Sequence, residues 1–93
     1  MNPDGDKATP DPMVVVQPTD LGAVLMHVAT GDCYELNRVG TEIWNRLAQG
    51  EPLSRIAAAL ADEYATTPET AENDVRLLVA ELSRRGLIAT RPR

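Results

Sequence analysis

His27 and Cys33 are the only histidine and the only cysteine in the sequence, and between them they have the chemistry of a general base and a thiol nucleophile. A thiol needs a base within hydrogen-bond reach before it becomes an effective nucleophile. A three-residue hairpin loop at Ala29-Thr30-Gly31, with Gly31 left-handed, would supply that neighbour. It pairs Val28 with Asp32, Met26 with Tyr34 and Val24 with Leu36, and so sets His27 opposite Cys33. No third orienting group accompanies the pair, so the ordinary reading is two residues on the semi-exposed face of a hairpin. One Cys and one His also fall short of the three or four ligands of a zinc site, and carboxylates would have to supply the rest. No glycine-rich phosphate loop or Ser-His-Asp set is visible. The expectation is a chain with no catalytic residue, no metal and no cofactor.

The elements follow from hydrophobic period. Met13–Gln17, Ala23–Val28 and Cys33–Leu36 are short runs rich in β-branched and aliphatic residues, punctuated by Pro18, Gly22 and Gly31. In the register above, Val24, Met26, Val28, Tyr34 and Leu36 share an apolar face, and Leu25, His27, Cys33 and Glu35 share a mixed one. At Asn37 the period changes from two to about 3.6. Asn37 is a natural N-cap, and Ile43, Trp44 and Leu47 form the buried stripe of the first helix. Gly50 and Pro52 separate it from a second helix whose stripe is Leu53, Ile56, Ala57, Leu60, Ala61 and Tyr64. Thr67-Pro68-Glu69 opens a third, with Ala71, Val75, Leu78, Val79 and Leu82 inward and Arg84-Arg85-Gly86 at its end. Leu87 and Ile88 should fold back onto the core.

Three strands followed by three helices predict an α+β fold. It is a three-stranded antiparallel meander with three helices, winged helix-turn-helix-like in arrangement. Residues 1–12, with three prolines, a glycine and no apolar period, read as a flexible tail, and residues 13–90 as one domain. Arg91-Pro92-Arg93 reads as a second tail.

Recognition chemistry is better supplied than catalysis. The last strand of a meander has backbone N–H and C=O groups without partners on its outer side, and an added strand can satisfy them. Cys33, Tyr34, Glu35 and Leu36 lie on that edge. On the third helix, Leu77 and Ala80 lie off the inward face. Asp74, Leu77, Leu78, Glu81 and Arg85 then form one wall of a groove whose other wall is the third strand.

The ordered set Leu36-Asn37, Gly40, Ile43-Trp44, Leu47, Ile56, Leu60, Tyr64, Asp74-Val75, Leu82 and Arg85-Gly86-Leu87-Ile88 resembles the PqqD-like proteins. These are the leader-peptide recognition elements of ribosomal peptide modification (RiPP) systems. The resemblance implies a non-catalytic module that takes the leader of a precursor peptide as an extra strand against the third strand, beside the third helix. It implies delivery of that precursor to a modifying enzyme, either a leader peptidase or a radical SAM enzyme. Carried onto this sequence, Cys33, Tyr34, Glu35 and Leu36 supply ladder and pocket contacts, and Asp74, Leu77, Leu78, Glu81 and Arg85 the helical wall. Stand-alone chains with this pattern are similar to proteins of quinone-cofactor synthesis and of lasso-peptide processing, and the lasso-type or another peptide natural-product system is the reading carried forward.

Charge narrows the alternatives. Nine Lys and Arg against fourteen Asp and Glu leave a net charge of −5, and sequence pI is about 4.7, which disfavours phosphate backbones and anionic lipid. A winged-helix DNA-binding regulator is the alternative reading, with the second and third helices as its helix-turn-helix. Glu69, Glu72, Asp74 and Glu81 on the exposed side of the third helix weigh against it. No apolar run approaches the ~20 residues of a membrane span, and no signal-peptide order opens the chain. A soluble cytoplasmic protein follows as the expectation, with pairing of the free edge between two copies as the route to a homodimer.

Overall fold

The computed structural model describes residues 7–91. Five strands and three helices follow in the order β1 (Lys7–Pro10), β2 (Val14–Pro18), β3 (Ala23–His27), β4 (Cys33–Leu36), α1 (Arg38–Ala48), α2 (Leu53–Glu63), α3 (Pro68–Arg84) and β5 (Ile88–Arg91). β2, β3 and β4 form an antiparallel sheet in that order, and the three helices follow it. This is the α+β, winged-helix-like arrangement expected from the period change at Asn37.

The caps behave as their residue types require. The Asn37 Oδ1 accepts the Gly40 N–H at 2.8 Å, and the Thr67 Oγ1 accepts the Thr70 N–H at 3.1 Å. α3 ends with the Leu87 N–H donating to the Leu82 carbonyl and the Gly86 N–H to the Ser83 carbonyl, a paired closure that turns the chain back. Leu87 and Ile88 then enter the core as expected, with Leu25, Leu36, Ile43, Trp44, Leu47, Ile56, Leu60, Val75 and Leu82. Side chains of this size each contribute about 1.5–3 kcal/mol when fully buried. Tyr64, expected on the α2 stripe, lies past the last helical residue and is 39% exposed.

Two expectations are corrected. The β3–β4 register is one residue away from the expected one: Ala23 pairs with Leu36, Val24 with Glu35, Leu25 with Tyr34 and Met26 with Cys33. The loop has four residues, Val28 to Gly31, closed by bonds from the His27 N–H to the Asp32 carbonyl and from the Gly31 N–H to the His27 carbonyl, each 2.8 Å. Gly31 does adopt positive φ, at +80°. The His27 Nδ1 is a shared acceptor for the Ala29 and Thr30 N–H groups, each at 3.3 Å, so the imidazole caps the loop from inside. Ala23, Leu25 and His27 consequently face the helices, while Met26 and Val28 face outward, 43% and 54% exposed. β4 keeps the expected parity, with Leu36 buried and Tyr34 half-buried.

The second correction concerns the N-terminal stretch. Lys7–Pro10, inside the segment read as a flexible tail, forms β1 and pairs antiparallel with β5, Ala8 opposite Thr90. Ala8 is 1% exposed and belongs to the core cluster, and the Asp11 N–H donates to the Leu87 carbonyl at 3.0 Å. Composition suggested too little apolar surface for order, but strand pairing with the C-terminal segment supplies backbone partners instead. Arg91, read as tail, is the last residue of β5. Residues 1–6 and 92–93 of the expected tails lie outside the described residues.

Candidate functional site

Among the described residues β4 has a strand on one side only, which leaves its outer backbone N–H and C=O groups open to an added strand. In an antiparallel ladder, residues alternate between directing their N–H and C=O groups at the partner and away from it. Counting from the His27 N–H bond to the Asp32 carbonyl, Tyr34 and Leu36 are directed at β3. Cys33 and Glu35 direct their backbone groups outward.

Beside this edge lies an open cleft of about 700 Å³, lined by Thr19, Asp20, Leu21, Tyr34, Glu35, Leu36, Asn37, Gly40 and Leu78. Tyr34 and Leu36 reach it because β4 parity turns them toward the helices, and Leu78 because it sits at the margin of the buried α3 stripe. One end is tied together electrostatically. The Arg85 guanidinium carbon stands 5.1 Å from the centre of the Tyr34 ring, a cation–π placement linking the end of α3 to β4. The Arg85 Nε also donates to the Glu81 Oε2 at 2.9 Å, and Arg84 donates to the other Glu81 oxygen. Hydrogen bonds from Arg85 first and Arg84 second hold the Glu81 carboxyl below its ordinary range. The same bond from Arg85 to Glu81 raises the guanidinium.

The other end is closed by the Thr19–Gly22 turn and the N-terminus of α1. Gly22 is pressed so close to the end of β4 that a Cβ there would lie 2.1 Å from the Leu36 carbonyl oxygen. Only a residue without a side chain fits.

Of the residues expected at a site, Tyr34, Glu35, Leu36 and Leu78 line the cleft, and Glu81 and Arg85 meet it through Tyr34. Cys33 is exposed at the start of β4, its Sγ directed to the Gly31 carbonyl at 3.7 Å. Asp74 and Leu77 are exposed on α3 and do not line the cleft, Leu77 being 63% exposed. Thr19, Asp20, Leu21, Asn37 and Gly40 were not foreseen. Their signal was present only as an apolar Leu21 stranded in a turn and a Gly40 inside a helix.

The His27–Cys33 pair does not form. With the register moved by one, His27 is buried on the helix side, its Nε2 3.6 Å from the Asp11 Oδ1, while Cys33 pairs with Met26 on the outer face. Among the described residues no group of three or more His, Cys, Asp or Glu is placed to hold a metal ion, and no helix is long and apolar enough to cross a membrane. The arrangement can do two things: bond to an extended backbone along β4 and bury apolar side chains against Tyr34, Leu36 and Leu78.

Among the described residues, the fold thus places an edge strand without an outer partner beside a partly apolar cleft, the two features that strand-type peptide binding requires. The chain belongs to the PqqD family: the family model described as "Coenzyme PQQ synthesis protein D (PqqD)" matches residues 22–88. Among solved structures it is similar to "TbiB1 in Complex with the TbiA(beta) Leader Peptide", with 31% identity over 86% of this chain and 93% of that one, at a TM-score of 0.80. It is also similar to "Lasso peptide synthetase B1 complexed with the leader peptide", with 29% identity over 91% and 98% of the two chains and a TM-score of 0.80. No curated protein matches the chain.

Proposed function

We infer that this protein is a non-catalytic binding module that captures the leader segment of a ribosomally made precursor peptide and presents it to an enzyme of peptide natural-product biosynthesis. The observation that carries this reading is the unpaired β4 edge running along a cleft floored by apolar side chains from β4 and α3. Both of these solved structures are complexes with a leader peptide, and the second, a lasso peptide synthetase component, supports a lasso-type system over quinone-cofactor synthesis.

In this mechanism the leader adds as a strand to β4. The outward backbone groups of Cys33 and Glu35 supply the ladder, and alternate leader side chains pack on Tyr34, Leu36 and Leu78. Glu81 and Arg85 hold Tyr34 in place at one end, and Asp74 and Leu77 stand further out on α3 where a leader longer than the cleft would pass. No bond is made or broken by the module. It raises the effective concentration of the precursor's remaining segment at a leader peptidase or radical SAM enzyme, a gain of up to several orders of magnitude in apparent affinity. A DNA-binding role has less support, because Arg76 and Arg84 on α3 and Arg85 at its C-cap are already engaged by Glu72 and Glu81.

Selection of a displayed library of 20-residue peptides on the protein, followed by calorimetric titration of the enriched sequences, tests the reading. One-to-one binding at micromolar Kd or tighter, about 8 kcal/mol or more, lost on Leu78→Glu, is the expected result. Failure to enrich any peptide, or binding indifferent to Leu78→Glu, would overturn it.

A further inference from the structure

Leu21 is the most exposed large apolar residue among those described, at 79%, yet it lines the cleft. Exposure of this kind usually marks a mobile tip, but the turn that carries Leu21 is built to stay in place. The Thr19 N–H donates to the Gly22 carbonyl at 3.0 Å, and the Gly22 N–H returns to the Thr19 carbonyl at 3.3 Å and to its hydroxyl at 3.1 Å. Gly22 in turn abuts the Leu36 carbonyl with no room for a Cβ. The backbone that carries the leucine is therefore anchored at the end of β4, so a ligand that covers the side chain has only its rotamers left to order.

The surfaces sharing that end of the cleft are Leu36, Leu78 and the bare backbone of Gly40. A Cβ at Gly40 would stand 3.2 Å from the Leu36 Cδ2 and 3.3 Å from the Asn37 Oδ1, so a methyl group there would have to push the Leu36 side chain toward the cleft. Two walls, a floor without a side chain and an exposed leucine on an anchored turn make a side-chain pocket that is open on one side. Asp20 and Glu35, both exposed, border it.

We propose that Leu21 is a clamp that closes over one apolar side chain of the leader strand, seated between Leu36 and Leu78 above Gly40, and that Leu21 and Gly40 together set the size of that side chain. The proposal rests on the leader-binding reading and adds to it a specificity determinant on the β2–β3 turn. Its consequence is one leader position that demands an apolar residue of limited size and rejects an acidic one beside Asp20 and Glu35.

Parallel selection of the displayed peptide library on the parent protein, Leu21→Ala and Gly40→Ala tests it, with thermal melts to verify that each variant is folded. The parent should fix a bulky apolar residue at one position. Gly40→Ala raises the pocket floor and should shift that position to smaller residues. Leu21→Ala should relax the preference there alone and weaken the parent-selected peptide about tenfold. Unchanged selection profiles in both variants, while Leu78→Glu still abolishes binding, would overturn the clamp and leave the leader groove standing. Binding insensitive to all three substitutions would remove both.

Discussion

Gly22 and Glu81 show how much of the cleft depends on single residues. A methyl group at Gly22 would overlap the Leu36 carbonyl oxygen, a backbone atom that cannot rotate aside. Gly22→Ala should cost about 2 kcal/mol, in the range of overpacking, and lower the melting temperature by roughly 10 °C for a chain of this size. A melt within 2 °C of the parent would show that the turn does not press on β4 as described. Glu81 carries the complementary test. Its carboxyl is lowered in the folded protein, so the interaction is present above the unfolded glutamate pKa and lost as pH falls through the folded value. Side-chain carboxyl shifts should titrate below the ordinary glutamate range, and Arg85→Leu should move them back upward. At this scale the sequence was least informative. A three-residue loop would set His27 opposite Cys33, and nothing in the linear pattern shows that the loop has four residues, two of whose N–H groups donate to the imidazole.

At the scale of elements the reading was closer, because helices announce themselves through caps and stripes. Asn37, Thr67 and Gly86 stand where their chemistry required, and β4 runs from Cys33 to Leu36 as its short apolar pattern suggested. What period could not reveal was pairing between distant segments. β1 has no apolar alternation of its own and is ordered against β5. Ala8 is the test of that pairing: Ala8→Asp places an unpaired carboxylate in the core and should destabilise by about 3 kcal/mol, read as a lowered urea midpoint. An unchanged midpoint would mean that β1 contributes nothing to the fold. α3 supplies a second test. Leu77 and Leu78 are adjacent in sequence, but Leu78 lines the cleft and Leu77 stands outside it. Leu78→Glu should therefore weaken peptide binding by a far larger factor than Leu77→Glu. Equal losses would place the wall of the groove on the outer side of α3, as the sequence pattern alone suggested.

Over the whole molecule, the fold resolves a conflict that small sheet proteins face, since an unpaired edge invites aggregation as well as recognition. Here the N-terminal segment pairs with the C-terminal one in a separate two-stranded sheet, and among the described residues no strand covers β4. The cleft runs alongside that edge, so a strand added there would gain apolar contact together with its hydrogen bonds. Backbone hydrogen exchange of the protein, free and saturated with a selected peptide, tests this most directly. The account predicts that the outward amides of Cys33 and Glu35 become at least tenfold more protected, while those of Tyr34 and Leu36, already bonded to β3, change little. A bound peptide that leaves the Cys33 and Glu35 amides exchanging at their free rate, or protects the outer edge of β2 instead, would contradict it.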